Sequence, residues 1–239
     1  MVEYVYGKER KKPMVNVAYS QEYRTYRQEQ ERVFCADYLR HSKTTMIFPH
    51  YYLKKFSYSG KVGGYTLHAT ENELIDETGK VLYTWKNLND DCEFCELIEH
   101  GNGHEYLVFR SDLYGYSVLD LDTLQDFHYI PSGSFPKGET FIWTDVSYNK
   151  KTNLIAVSGC YWACPFGTLL MDFSHPMKEP GIWADVQEHL ENGYDRYDDV
   201  DFMEWRNTDL VLCAFNNQTE NRETILITEH EYIKWLSEK

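Results

Sequence analysis

The sequence predicts an all-β chain: a small β-propeller, or a propeller-like repeat of antiparallel sheets, with a short C-terminal helix. Three observations carry this. A strand-turn-strand unit recurs along the chain, with apolar runs at Tyr65-Thr66-Leu67-His68 and Glu73-Leu74-Ile75-Asp76, at Tyr106-Leu107-Val108-Phe109 and Tyr116-Ser117-Val118-Leu119, at Leu154-Ile155-Ala156-Val157 and Leu169-Leu170-Met171-Asp172, and at Leu210-Val211-Leu212-Cys213 and Ile225-Leu226-Ile227-Thr228. Self-similarity at tens of residues is the mark of repeat architectures. Aromatics make up 16% of the 239 residues, with 20 Tyr and 12 Phe, and such residues suit a pleated, half-buried surface. The strands are punctuated by Gly, Asn, Asp and Lys clusters, whose backbone preferences favour tight turns. An open twisted sheet or a sandwich is the alternative.

A single domain is expected, in three stretches. Residues 1–50 read as an N-terminal arm or partial blade, polar at its start. Within it, Met14 to Tyr19 and Glu22 to Arg27 alternate as strands would. Glu29 to Arg40 has Val33, Phe34, Tyr38 and Leu39 at helical spacing, and Met46-Ile47-Phe48 reads as a strand stopped by Pro49. Residues 51–228 hold four sheet units. Their opening strands are Leu53 to Tyr58, Cys95 to Glu99, Trp143 to Tyr148 and Val200 to Trp205. A turn and then a nearly continuous apolar strand follow, and such a strand is buried on both faces. The anchors Tyr106, Leu154 and Leu210 are 48 and 56 residues apart, so the loops have grown. Residues 229–239 read as a helix, with Thr228 and Glu231 placed as a capping box. The last unit lacks a fourth strand, which the N-terminal segment would supply on closure.

Val146-Ser147-Tyr148-Asn149-Lys150-Lys151-Thr152-Asn153-Leu154-Ile155-Ala156-Val157-Ser158-Gly159, with Gly167 to Phe173 after it, resembles a degenerate WD40-type blade without that family's Gly-His and Trp-Asp dipeptides. The resemblance implies four-stranded blades. The whole chain is also similar to uncharacterised bacterial cytoplasmic proteins of about this length, a likeness that implies no activity.

Charge divides the chain. Residues 1–60 carry 11 Lys/Arg against 6 Asp/Glu, and residues 61–239 carry 13 against 32. The basic segment either packs on its own acidic body or faces a partner. A chain of net charge −14 with so acidic a body repels phosphates, so no nucleic-acid partner is expected. No apolar run approaches the ~20 residues that span a bilayer, so no membrane partner is expected either. The start, Met1-Val2-Glu3-Tyr4 running into Lys8 to Lys12, has no leader pattern. With six cysteines read as thiols, the expected compartment is the cytoplasm.

The loop Gly159-Cys160-Tyr161-Trp162-Ala163-Cys164-Pro165-Phe166-Gly167 is the strongest candidate site, because an aromatic loop either plugs a channel or contacts a partner. Three residues separate Cys160 from Cys164, where redox pairs keep two between them. Cys92-Glu93-Phe94-Cys95 has the spacing of half a zinc site, to be completed by Cys160 and Cys164 or by His100 and His104. In a strand, however, Cys92 and Cys95 point to opposite faces. Asp195, Asp198, Asp199 and Asp201 form an acidic loop without calcium-loop spacing. No catalytic motif is present.

These features predict a non-enzymatic protein-binding module without cofactor or metal. An acidic immunity-type or scaffold protein is one concrete form. Loops 111–115, 159–167 and 216–221 share one position in their units, and Tyr114, Trp143, Tyr161, Trp162 and Phe166 are the expected anchors, since rigid aromatics dominate interfaces. The alternative is a hydrolase or lyase with Asp112, Asp145, Asp172 and His175 around a channel mouth. Converging carboxylates would mark the enzyme, and an exposed aromatic face the binder.

Overall fold

The computed structural model describes residues 15–48, 50–88, 94–136 and 138–237. It is all-β, with four antiparallel sheets in chain order, each strand pairing with the next. The first holds β1 (Leu39–Phe48), β2 (Tyr51–Val62), β3 (Tyr65–Asp76) and β4 (Val81–Asn87). The second holds β5 (Cys95–Glu99), β6 (Glu105–Phe109), β7 (Tyr116–Asp120) and β8 (Asp126–Tyr129). The third holds β9 (Ile142–Asn149), β10 (Leu154–Cys160), β11 (Phe166–Asp172) and β12 (Trp183–Asp185). The fourth holds β13 (Tyr197–Arg206), β14 (Asp209–Asn216) and β15 (Asn221–Ile227). Helix α1 (Gln21–Gln30) precedes them, the single turns α2 (Val186–His189) and α3 (Gly193–Arg196) lie between the last two sheets, and α4 (Glu229–Ser237) ends the described chain.

The sheets stack because successive side chains in a strand point to opposite faces. In β6, Leu107 and Phe109 face Leu53, Leu74 and Trp85 of the first sheet. Tyr106 and Val108 face Trp143, Ile155 and Val157 of the third. In β10, the alternate residues Leu154 and Ala156 turn to Val200, Leu210 and Leu212 of the fourth. Both middle sheets are therefore apolar on two faces, which explains their unbroken hydrophobic runs, and each fully buried side chain contributes roughly 1.5–3 kcal/mol. None of the four buried clusters joins the last sheet to the first among the described residues. The arrangement is propeller-like, a stack of successive meanders.

Polar ties bridge neighbouring sheets. Arg110, fully buried, donates from Nη1 to the Trp143 carbonyl at 2.9 Å. Thr168 Oγ1 donates to the Val200 carbonyl at 2.7 Å, and Trp205 Nε1 to the Ser147 carbonyl at 3.1 Å. The His100 ring lies 3.0 Å from the Phe173 carbonyl through Nε2.

The N-terminal expectations need correction. Residues 22–27 are helical, not extended, and the segment 29–40 is not one helix. Ser20 caps α1 by accepting from the Tyr23 amide at 3.1 Å, and a strand begins at Leu39. The first sheet thus starts twelve residues before the expected boundary at 51. Its β3 is one continuous strand where two were expected, since Ala69 to Asn72 keep pairing with β2. Among the described residues, the N-terminal segment does not complete the fourth sheet. Asn16 instead bridges to Pro131 at the edge of the second, and the fourth sheet keeps three strands. Residues 1–14, together with Cys92, lie outside the described residues.

Helix α1 docks on its own body. Arg27 donates to the carbonyls of Ser111 and Lys86, each at 2.7 Å, and so pins the first sheet to the second. The Tyr23 hydroxyl donates to Asp112 at 2.8 Å. Tyr23→Phe leaves the ring packed and removes a bond to a charged acceptor. It is expected to cost about 2 kcal/mol, read as a lower urea midpoint; an unchanged midpoint would mean that this contact does not hold α1. At the other end, Thr228 gives both its amide (2.8 Å) and its hydroxyl (2.6 Å) to Glu231, and Tyr232 of α4 is buried against the fourth sheet. No helix is long and apolar enough to cross a membrane among the described residues.

Candidate binding pocket

The gap between the second and third sheets opens into a cavity of about 100 Å³. Its walls come from consecutive strands: Tyr116 of β7, Tyr129 of β8, Phe141 and Trp143 at the start of β9, Tyr161 in the β10–β11 turn, and Trp183 of β12. Trp143 stacks on Tyr116 with ring centroids 4.4 Å apart and planes 15° from parallel. Tyr161 meets Phe141 edge-on at 5.2 Å. Burial raises the Tyr116 phenol above its ordinary range, with Tyr129 and Glu179 adding to the effect. Polar groups interrupt these walls at Glu139 and at Thr140, whose hydroxyl, on a residue 7% exposed, has no hydrogen-bond partner among the described residues. A buried donor left unpaired costs about 1–3 kcal/mol, so an incoming polar atom here recovers that energy.

Beside it lies a wider cleft of about 310 Å³ bordered by Asp112, Tyr114, Phe135, Glu139 and Trp162. Glu139 borders both spaces. The Tyr114 phenol is pushed up to about 12, first by burial and then by the Glu139 charge. Tyr26 is pushed up to about 12 by burial and then by Asp112.

The anchors expected from sequence separate into two kinds. Trp143 is 6% exposed and belongs to the core, so it serves as a wall, not an exposed contact. Tyr114 and Tyr161 are half-buried at the two openings. Trp162 and Phe166 are 53% and 42% exposed. The aromatic loop is shorter than expected, because Cys160 pairs with Phe166 and leaves 161–165 as a hairpin turn. Trp162 therefore stands out as a lip and plugs nothing.

The carboxylate set does not converge. Asp112 follows β6 and accepts from Tyr23 at one end of the sheets. Asp172 pairs with Leu154 at the opposite end of its sheet and accepts from Ser174. It shares a small cavity with His175. Asp145 sits mid-strand in β9, opposite Ser158, its carboxyl raised by burial. Strand polarity separates these groups: loops after the second strand of a meander and loops after its third lie at opposite ends.

Of the cysteine set, Cys92 lies outside the described residues; Cys95, Cys160 and Cys164 are in no disulfide and belong to no set of three ligands among the described residues. The set that does gather within 4.8 Å is His104, Asp120 and Asp122. The acidic loop is engaged internally, with Arg222 3.6 Å from Asp199 and 3.2 Å from Asp201, and Asn217 donating to Asp198 at 2.8 Å.

No protein-family model matches the chain, and no curated protein matches it in sequence. The WD40 resemblance thus gains no family match. A solved structure described as a bifunctional GH43-CE protein of Bacteroides eggerthii is similar over 79% of this chain and 24% of its own, with 10% identity and a TM-score of 0.36. This chain spans about a quarter of that protein's length. A likeness at this score carries neither fold nor activity across.

Proposed function

We propose that the chain is a protein-binding module that receives an aliphatic side chain of its partner in the cavity between the second and third sheets. The observation behind this is an aromatic-walled cavity whose buried Thr140 hydroxyl lacks a partner among the described residues, next to an exposed Trp162. An apolar cavity of ~150 Å³ holds benzene. One of about 100 Å³ fits a branched aliphatic group better than an aromatic ring. A partner backbone amide following that side chain would satisfy Thr140. Trp162, Tyr114 and Phe166 would cover the surrounding contact, as aromatics do at the rim of a buried anchor. Glu139 and Asp112 give the opening a negative edge, which favours a neutral or basic partner segment. A cytoplasmic immunity-type or scaffold role fits this chemistry. No covalent step is assigned to this cavity, which presents no activated nucleophile.

A photo-crosslinking residue at position 162 tests the reading. Crosslinks to one partner are expected with the open cavity, and at least tenfold fewer, about 1.4 kcal/mol, when Leu169→Phe fills it while the surface stays unchanged. Equal yields from both proteins would contradict it. Thr140→Val keeps shape and removes the hydroxyl. It is expected to leave folding stability unchanged or raised and to weaken the partner complex, both readable by calorimetry.

A further inference from the structure

A second cavity, of about 300 Å³, lies between the first and second sheets beneath α1. Ser111 and His128 line it. Ser111 Oγ is 3.1 Å from Ser117 Oγ, which is 2.7 Å from His128 Nδ1. His128 Nε2 is 3.3 Å from Asp126 Oδ2, and that oxygen also accepts from the Tyr83 hydroxyl at 2.5 Å. This chain fixes the tautomer: Nε2 carries the proton toward the carboxylate, so Nδ1 is left to accept from serine. Burial holds the imidazole below its ordinary value and Arg27 of α1 lowers it further, while Asp126 opposes both. The Tyr19 hydroxyl, beside the ring, accepts from the His128 amide at 3.0 Å. Trp85, 5% exposed, lines the same cavity, and its buried indole N–H has no partner among the described residues. A nucleophile and a base thus border one cavity, with an orienting carboxylate behind the base.

We propose that this cavity is a second site, independent of the binding pocket, at which Ser111 hydrolyses small carboxylic esters. Ser111 Oγ adds to the ester carbonyl carbon. Its proton moves to Ser117 Oγ as the Ser117 proton moves to His128 Nδ1. The ester C–O bond then breaks, and the alkoxide leaves with the proton returned through Ser117. Water attacks acyl-Ser111 by the same route, releasing the carboxylic acid and restoring the serine. Ser111 is the catalytic residue; His128 acts through Ser117.

The test uses 4-nitrophenyl acetate with the intact chain. Nitrophenolate release is expected to fall at least tenfold in Ser111→Ala and in His128→Gln. In the unsubstituted chain, peptide mapping of quenched reactions is expected to find the acetyl group on Ser111. The rate should rise with pH through a midpoint below the ordinary histidine value of about 6.5, and His128→Gln should flatten that profile. Acetyl groups confined to lysine or tyrosine, or a rate unchanged in Ser111→Ala, would overturn the proposal. The mapping needs no variant, so a poorly folded one cannot mask the answer.

Discussion

Phe109→Ala is expected to lower folding stability by about 3–5 kcal/mol, the usual cost of truncating a buried phenylalanine. Phe109 is fully buried on the face of β6 that meets the first sheet. Its ring centroid lies 4.7 Å from that of Trp85 and 6.1 Å from that of Tyr83. Alanine removes the apolar area and leaves a cavity between two sheets that cannot easily close, because Arg27 ties both at fixed carbonyls. Urea unfolding measures the loss. A loss below about 1 kcal/mol would mean that the first sheet does not rest on the second through this residue.

Gly159→Val is expected to cost about 3 kcal/mol, at the upper end of overpacking. Any Cβ at this position would sit 2.0 Å from the Ile142 carbonyl oxygen and 2.6 Å from the Phe141 ring. The β9–β10 register shifts between Ser158 and Gly159, and the bulge works because no side chain stands there. Valine must push β9 outward, and with it Trp143 in β9 and Phe141 directly before it, both of the pocket wall. The same variant should therefore lose partner binding as well as stability. A thermal midpoint within a few degrees of the parent, with binding intact, would contradict this account of the wall.

Much of the fold is legible in the sequence because it rests on local signals. The runs at Tyr106, Leu154 and Leu210 announce strands covered on both faces, and Thr228 with Glu231 announces the last helix. The first sheet is less legible. Ala69-Thr70-Glu71-Asn72 lies between two runs read as separate strands, yet long-range pairing with β2 keeps it extended. Residues 22–27 alternate Tyr and polar side chains, but the Ser20 cap and the anchoring of Arg27 select a helix. The pocket is partly legible. Trp143 and Tyr161 stand out as aromatics, whereas Thr140 is an ordinary loop residue until its hydroxyl is seen to be buried. Ser117 and His128 are eleven residues apart and meet only through the β7–β8 register, so no spacing rule finds them.

The binding account turns on whether the cavity between the second and third sheets takes up a branched aliphatic group. Titration of the methyl-labelled protein with isobutanol, followed by NMR, tests this most directly. Saturable shifts at Leu169, Val157 and Met171, abolished by Leu169→Phe, are the predicted result. Methyl signals that stay fixed while the protein remains folded would contradict it.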